Sequence, residues 1–160
     1  MMMMLSACQP SWISMKTYTL LELTSDQPIP HATHPGVAIE WSGAKHDILG
    51  AWDKTQPTRL TIPKGIRKAR LSAGAVFESN PNGFRQIYSK LNGSDVYPIG
   101  YLSHTLSSHT TLGSSTSFAT IGPWIDVKPD DYWELFAVQD SGGTLAFRGV
   151  GSSWFQMEFI

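Results

Sequence analysis

Apolar residues in this chain recur at every second position, and no window of a dozen residues sustains a 3.6-residue period. Residues 17–23 (TYTLLEL) place Thr19, Leu21 and Leu23 on one face. Residues 37–41 alternate, with Val37, Ile39 and Trp41 inward and Ala38 and Glu40 outward. A short TRLTI strand follows at 58–62, after a loop over 42–56 with room for a short strand near 46–49. The longest alternating run is 66–78. Ala69, Leu71, Ala73, Ala75 and Phe77 face one way there, and Lys68, Arg70, Ser72 and Glu78 the other. Its small residues admit close approach of another layer. Further strands are predicted at 84–91, 96–102 and 118–127, with Pro123 marking an edge or a bulge. Asn80-Pro81-Asn82-Gly83 and Asn92-Gly93 supply turns. The Pro-rich 25–36 reads as an ordered loop, and the Ser/Thr-rich 103–120 as a long surface loop or an edge strand.

Residues 130–160 carry two aromatic-rich segments around a Gly-rich loop. In 153–160, Phe155, Met157 and Phe159 share the core face, with Trp154, Gln156, Glu158 and Ile160 on the other. In 132–139 both faces are largely apolar: Tyr132, Phe136 and Val138 on one, Trp133, Leu135 and Ala137 on the other. A strand apolar on both faces is covered on both. In a two-layer sandwich only one face meets the opposite sheet, so the other is expected to meet a second subunit or a long loop. Many short strands joined by Gly, Pro and Asn turns predict an all-β fold, an antiparallel two-sheet sandwich or jelly roll over 17–160.

Composition sharpens this picture in three ways. Charged residues make up 16% and aromatics 11%, so some of the six Trp, five Tyr and seven Phe are expected at an interface and not in the core. The formal net charge of -1 supplies no field for nucleic acid or an anionic membrane, so neither is an expected partner. The basic cluster Lys64, Arg67, Lys68 and Arg70 reads as a solvated strand face, with an anion patch as the alternative. Cys8 is the only cysteine, which rules out an intrachain disulfide. No run of about 18 apolar residues exists to span a membrane. Leu5-Ser6-Ala7-Cys8 fits a lipoprotein cleavage pattern, but the basic n-region and long apolar core of a working signal are missing. The beginning reads instead as a mis-set or extended start, with Met15-Lys16 as a natural second start, and residues 1–16, if native, as an anchoring arm.

The chain resembles the C1q/TNF-like jelly roll, in the short version common in bacteriophage tail-fibre and other virion-surface proteins. The resemblance spans roughly 17–160. It rests on Ser25-Asp26-Gln27-Pro28-Ile29-Pro30 after the first strand, and on Pro57-Thr58-Arg59-Leu60-Thr61-Ile62-Pro63-Lys64-Gly65 leading into the long strand. Arg85 with Lys90-Leu91-Asn92-Gly93, then Asp131-Tyr132-Trp133-Glu134-Leu135, Gln139-Asp140-Ser141-Gly142 and Trp154-Phe155 complete it. The family usually carries Gly where this chain has Asp130. The resemblance implies a homotrimer with adjacent first and last strands and aromatic-rich subunit contacts. Tyr132, Trp133, Phe136 and Trp154 are the expected trimer-interface residues.

Candidate chemistry is sparse. His31-x-x-His34 lies in a Pro-rich loop without a cysteine or carboxylate at ligand spacing, and the five histidines read as solvated. Asp126, Asp130 and Asp131 could offer oxygens to calcium, yet they read as strand terminators. No metal and no cofactor is expected. There is no Gly-x-Ser-x-Gly elbow. Glycoside hydrolysis would need two carboxylates about 5–10 Å apart, and nothing singles out a pair among Asp53, Glu78, Glu134 and Glu158. Sugar C–H faces stack on rings while hydroxyls need fixed polar partners. Trp52, Asp53, Tyr97 and Tyr101 are therefore the expected glycan contacts. The resulting expectation is a non-enzymatic virion structural protein: a trimeric surface spike, fibre or capsid decoration component. Its arm would hold other virion proteins, and host-surface polysaccharide would be its ligand. The alternatives are a stand-alone bacterial carbohydrate-binding module and, behind it, a glycosidase.

Overall fold

A computed structural model describes residues 17–94, 102–107 and 115–160, with backbone only for 32–34 and 103–107. The expected arm, most of the strand predicted at 96–102, Tyr97 and Tyr101 lie outside these residues. Thirteen strands occur among the described residues: β1 (Thr17–Glu22), β2 (Gln27–Ile29), β3 (Ala32–Ala38), β4 (Gly43–Asp47), β5 (Arg59–Thr61), β6 (Lys68–Phe77), β7 (Phe84–Leu91), β8 (Ser103–Ser107), β9 (Thr116–Ile121), β10 (Ile125–Asp126), β11 (Tyr132–Gln139), β12 (Leu145–Phe147) and β13 (Trp154–Phe159).

They form two antiparallel sheets. In the larger one the order β4–β1–β13–β6 is continued by β9 and β10 on the far edge of β6. Ser72 pairs with both Gln156 and Ile121, so β6 is central. The smaller sheet runs from β3 and β5 through β11 and β7 to β8. First and last strands are adjacent, Thr17 opposite Phe159. The alternation read from the sequence places the core: Thr19, Leu21, Ala69, Leu71, Ala73, Phe155 and Met157 are fully buried from one side, and Leu60, Ile87, Trp133, Leu135 and Ala137 from the other. Trp41 stacks on Phe155 at 6.0 Å.

Several segments depart from the sequence reading: the strand expected at 37–41 ends at Ala38, the one near 46–49 is β4, 118–127 divides into β9 and β10 around Pro123, and β12 forms within the Gly-rich loop. The Pro-rich 25–36 is not a loop throughout; it holds β2 and most of β3. Both lie at sheet margins, Pro28 opposite Ala146 and Pro35 within β3, where a missing N–H breaks no second ladder. Within 103–120, β8 is an edge strand and β9 pairs with β6.

The β1–β13 pair is interrupted and then resumes as β2–β12. At the interruption the two chains are stitched by side chains. Asp26 accepts from Arg148 Nη1 (2.6 Å) and from the Gly149 amide (2.9 Å), and Arg148 also reaches Glu78 (3.6 Å). The Val150 amide donates to the Leu23 carbonyl (2.7 Å). A Cβ on Gly149 would overlap the Ser25 backbone. Across the sandwich, fully buried Arg85 donates to the carbonyls of Asn80 (2.8 Å) and Asn82 (2.6 Å) and so closes the 80–83 turn. Burial lowers its pKa, with Asp140 opposing.

The Lys128–Tyr132 turn has a positive φ of 70° at Asp130, a conformation that glycine adopts without a Cβ penalty. Asp130→Gly is expected to raise the unfolding free energy by about 0.5–1 kcal/mol in urea titrations; an unchanged or lower midpoint contradicts this. The amide of Gly149, then Arg148, holds the Asp26 carboxyl below its ordinary 3.8. The stabilisation is thus present above that value and fades as pH falls through the folded-state pKa. Asp26 is well exposed, so Asp26→Asn is expected to lower stability by no more than about 1 kcal/mol at neutral pH. That penalty should shrink at pH 3. An equal penalty at both pH values argues against the charge as its source.

Candidate functional site

The outer face of the large sheet is built from alternate residues of its central strands. β1 presents Tyr18, Leu20 and Glu22, β13 presents Trp154, Gln156 and Glu158, and β6 presents Arg70, Ser72, Gly74 and Val76. β9 adds Ser117, Ala119 and Ile121. One end of this face is charged and self-paired. Arg70 bonds Glu158 at 2.7 Å, and Lys68 lies 3.7 Å from Asp126. The basic cluster is therefore half neutralised by carboxylates on neighbouring strands.

The other end carries Trp154 and small uncharged residues of β6 and β9, with the Glu22–Lys45 ion pair (3.5 Å) at its β1 edge. Trp154 lies over Gly74, where any Cβ would overlap the indole. Two hollows flank the ring. One, about 220 Å³, is lined by Leu20, Glu22, Lys45, Gly151 and Gln156. The other, about 310 Å³, is lined by Val76, Ser117, Ala119 and Ser152. Two apolar side chains near this end stand in solvent: Val150, in the connection between β12 and β13, at 79% and Ile121, at the end of β9, at 62% exposure. Val150 also has φ 51°, which a β-branched residue adopts only under constraint. Exposed apolar side chains at the margins of a weakly charged sheet face suit an interaction surface.

The expected trimer residues do not form one surface. Trp133 is wholly buried in the core, because it alternates with Tyr132 and points to the opposite side of β11; this corrects its assignment to an interface. Tyr132 and Phe136 lie on the outer face of the small sheet, whereas Trp154 lies on that of the large one. Nor does the second face of β11 wait for a neighbour. Phe136 stacks on Tyr88 at 5.4 Å, and the Lys90 ammonium sits 4.5 Å from its centroid. Arg59 lies 4.0 Å over Tyr132 and reaches Glu134 at 3.4 Å. Val138 is buried beside Gly36, whose amide donates to the Tyr88 hydroxyl at 3.0 Å. Long cationic side chains laid over rings cover this face within the single chain.

The expected glycan residues are placed differently again. Trp52 packs partly against the core and donates its indole N–H to the Pro57 carbonyl (3.2 Å). Asp53 accepts from the Thr55 amide (2.8 Å), and that bond, with one from the Thr55 side chain, lowers its pKa. Both therefore serve the 51–57 loop. Asp47 organises it: one oxygen accepts from the Thr19 hydroxyl (2.8 Å) and the Ala51 amide (2.9 Å), the other from the Trp52 amide (3.1 Å). Nothing in the sequence pattern marks Asp47. Of the four carboxylates weighed for hydrolysis, Glu134 and Glu158 face outward from opposite sheets, Glu78 accepts from the Ala146 amide, and Asp53 is in the loop. His31 accepts from the Gly142 amide at 3.2 Å, and His46 stacks on Tyr18 at 4.0 Å. Asp131 accepts from Asn92 Nδ2 (2.8 Å) and the Lys128 amide (3.2 Å).

The signal for the apolar face was present in the sequence. On β6, the outward run changes from Lys68 and Arg70 to Ser72, Gly74 and Val76, and uncharged outward positions on a central strand mark a covered surface.

No family model matches the chain, and no curated protein does. Solved structures do match. One is the Eiger TNF from S. frugiperda, 10% identical with a TM-score of 0.59 over 91% of this chain and 92% of that one. At that identity the likeness concerns the fold alone, and with two antiparallel sheets in this order the chain has a TNF-like jelly-roll fold.

Proposed function

We propose that this chain is a non-enzymatic structural protein that assembles as a C1q-like homotrimer and is displayed on a virion surface, where it contacts host glycans. In this reading it is a spike, fibre or capsid decoration component, and residues 1–16 attach it to other virion proteins. The observation that carries the assembly is the Trp154 end of the large sheet's outer face, with the indole between two hollows and Ile121 exposed. A protruding Val150 beside a hollow suits a heterologous contact, in which a knob on one copy enters a recess on the next. Such contacts form rings when the rotation closes. The virion setting draws its support from the order of motifs from Ser25 to Phe155.

Native mass spectrometry of the full chain is expected to show three copies at micromolar concentration. Ile121→Lys and Val76→Lys, both on outward positions, should weaken association at least tenfold while leaving the far-ultraviolet circular dichroism unchanged. A monomer at that concentration contradicts the assembly and favours the stand-alone carbohydrate-binding module. Immunogold labelling of purified particles tests the setting, and unlabelled particles refute it.

A further inference from the structure

A third hollow, apart from the Trp154 face, opens at the end of the sandwich where β10 meets β11. Its volume is about 390 Å³, within the rough 300–1,000 Å³ span of small-molecule sites. Leu91, Ile125 and Val127 form apolar walls, and Trp124, 39% exposed, stands at the rim. The Arg70 guanidinium lies 4.9 Å over the Trp124 ring and restricts it. Asp126 and Asp131 also line the hollow. So does Trp133, which is 0% exposed and whose Nε1–H finds no acceptor among the described residues. A buried donor without an acceptor is costly and calls for an explanation.

We infer that this hollow binds a neutral saccharide. Three features converge on that class. Trp124 offers an aromatic surface for pyranose C–H groups. The two carboxylates accept hydrogen bonds from vicinal hydroxyls, since ionised Asp has only acceptors. The Trp133 N–H supplies a donor to a ring or hydroxyl oxygen. A cation is the poorer fit, because both carboxylates already have partners. Lys68 lies 3.7 Å from Asp126, and the two Asp131 oxygens accept from Asn92 and from the Lys128 amide. An anionic sugar is disfavoured by the Asp131 charge, which its two neutral donors do not cancel. β10 pairs with Lys68 and Ala69, five or more positions along β6 from Gly74, so occupancy of the hollow leaves the Trp154 face free.

The inference rests on the glycan-contact part of the proposed function and is independent of the assembly. The test is a titration of the full ¹⁵N-labelled chain with methyl glucopyranoside, methyl galactopyranoside, lactose and chitobiose, followed through the indole N–H resonances. The Trp133 resonance is expected to move and saturate at millimolar sugar with at least one of these. Trp124→Ala should weaken binding at least tenfold, Asp126→Asn at least threefold, and Trp52→Ala not at all. Glucuronic acid should bind at least fivefold more weakly than its neutral counterpart. Saturable binding abolished by Trp52→Ala but not by Trp124→Ala overturns this site and leaves glycan contact standing. An immobile Trp133 resonance with all four sugars overturns the site outright, as does equal affinity for glucuronic acid. Neither result bears on the mass of the assembly.

Discussion

Strand β13 is hydrogen-bonded along both edges, to β1 and to β6, and the rest of the molecule is registered from it. A slip of one residue would exchange Phe155, Met157 and Phe159 for Trp154, Gln156 and Glu158 in the core. Such an exchange would bury a carboxylate, so the register is strongly specified. The same alternation turns Trp154 outward, and its position opposite Gly74 lets the indole pack closely against β6. Core registration and the apolar outer face are thus two results of one pairing.

Charged side chains act on the two outer faces in different ways. On the small sheet, Lys90 and Arg59 lie over Phe136 and Tyr132 and close an apolar strand face without help from another chain. On the large sheet, Arg70 is paired with Glu158 and stacked on Trp124, so its reach ends short of Gly74 and Val76. The uncovered part of β6 and β9 lies beyond the reach of Arg70, while Lys45 at the opposite edge is held by Glu22 at 3.5 Å. A net charge near zero gives no repulsion to oppose contact between copies.

Much of the fold was legible in the alternation of residues. β7 and β11 coincide with the predicted runs, and the inward residues of β1, β6 and β13 are those the period-2 pattern selects. Elements held by neighbours and not by their own pattern were not legible: β2 and β3 carry prolines tolerated at a sheet margin, and three-residue β12 exists because β2 and β6 flank it. The site was legible only in part. Trp154 was singled out correctly as outward, but residue type does not reveal which long side chains lie flat, so Phe136 and Tyr132 read as open when they are covered. Trp52 read as a free aromatic because its bond to Pro57 depends on loop geometry that Asp47 sets.

The central claim is that the large sheet's outer face is the one that copies of this chain share, while the small sheet covers itself. Hydroxyl-radical footprinting across a concentration series measures this directly, residue by residue. Trp154 and Ile121 are predicted to lose reactivity as the protein associates, with Tyr88 and Phe136 unchanged. Protection of Tyr88 and Phe136, with Trp154 and Ile121 equally reactive at every concentration, would contradict it.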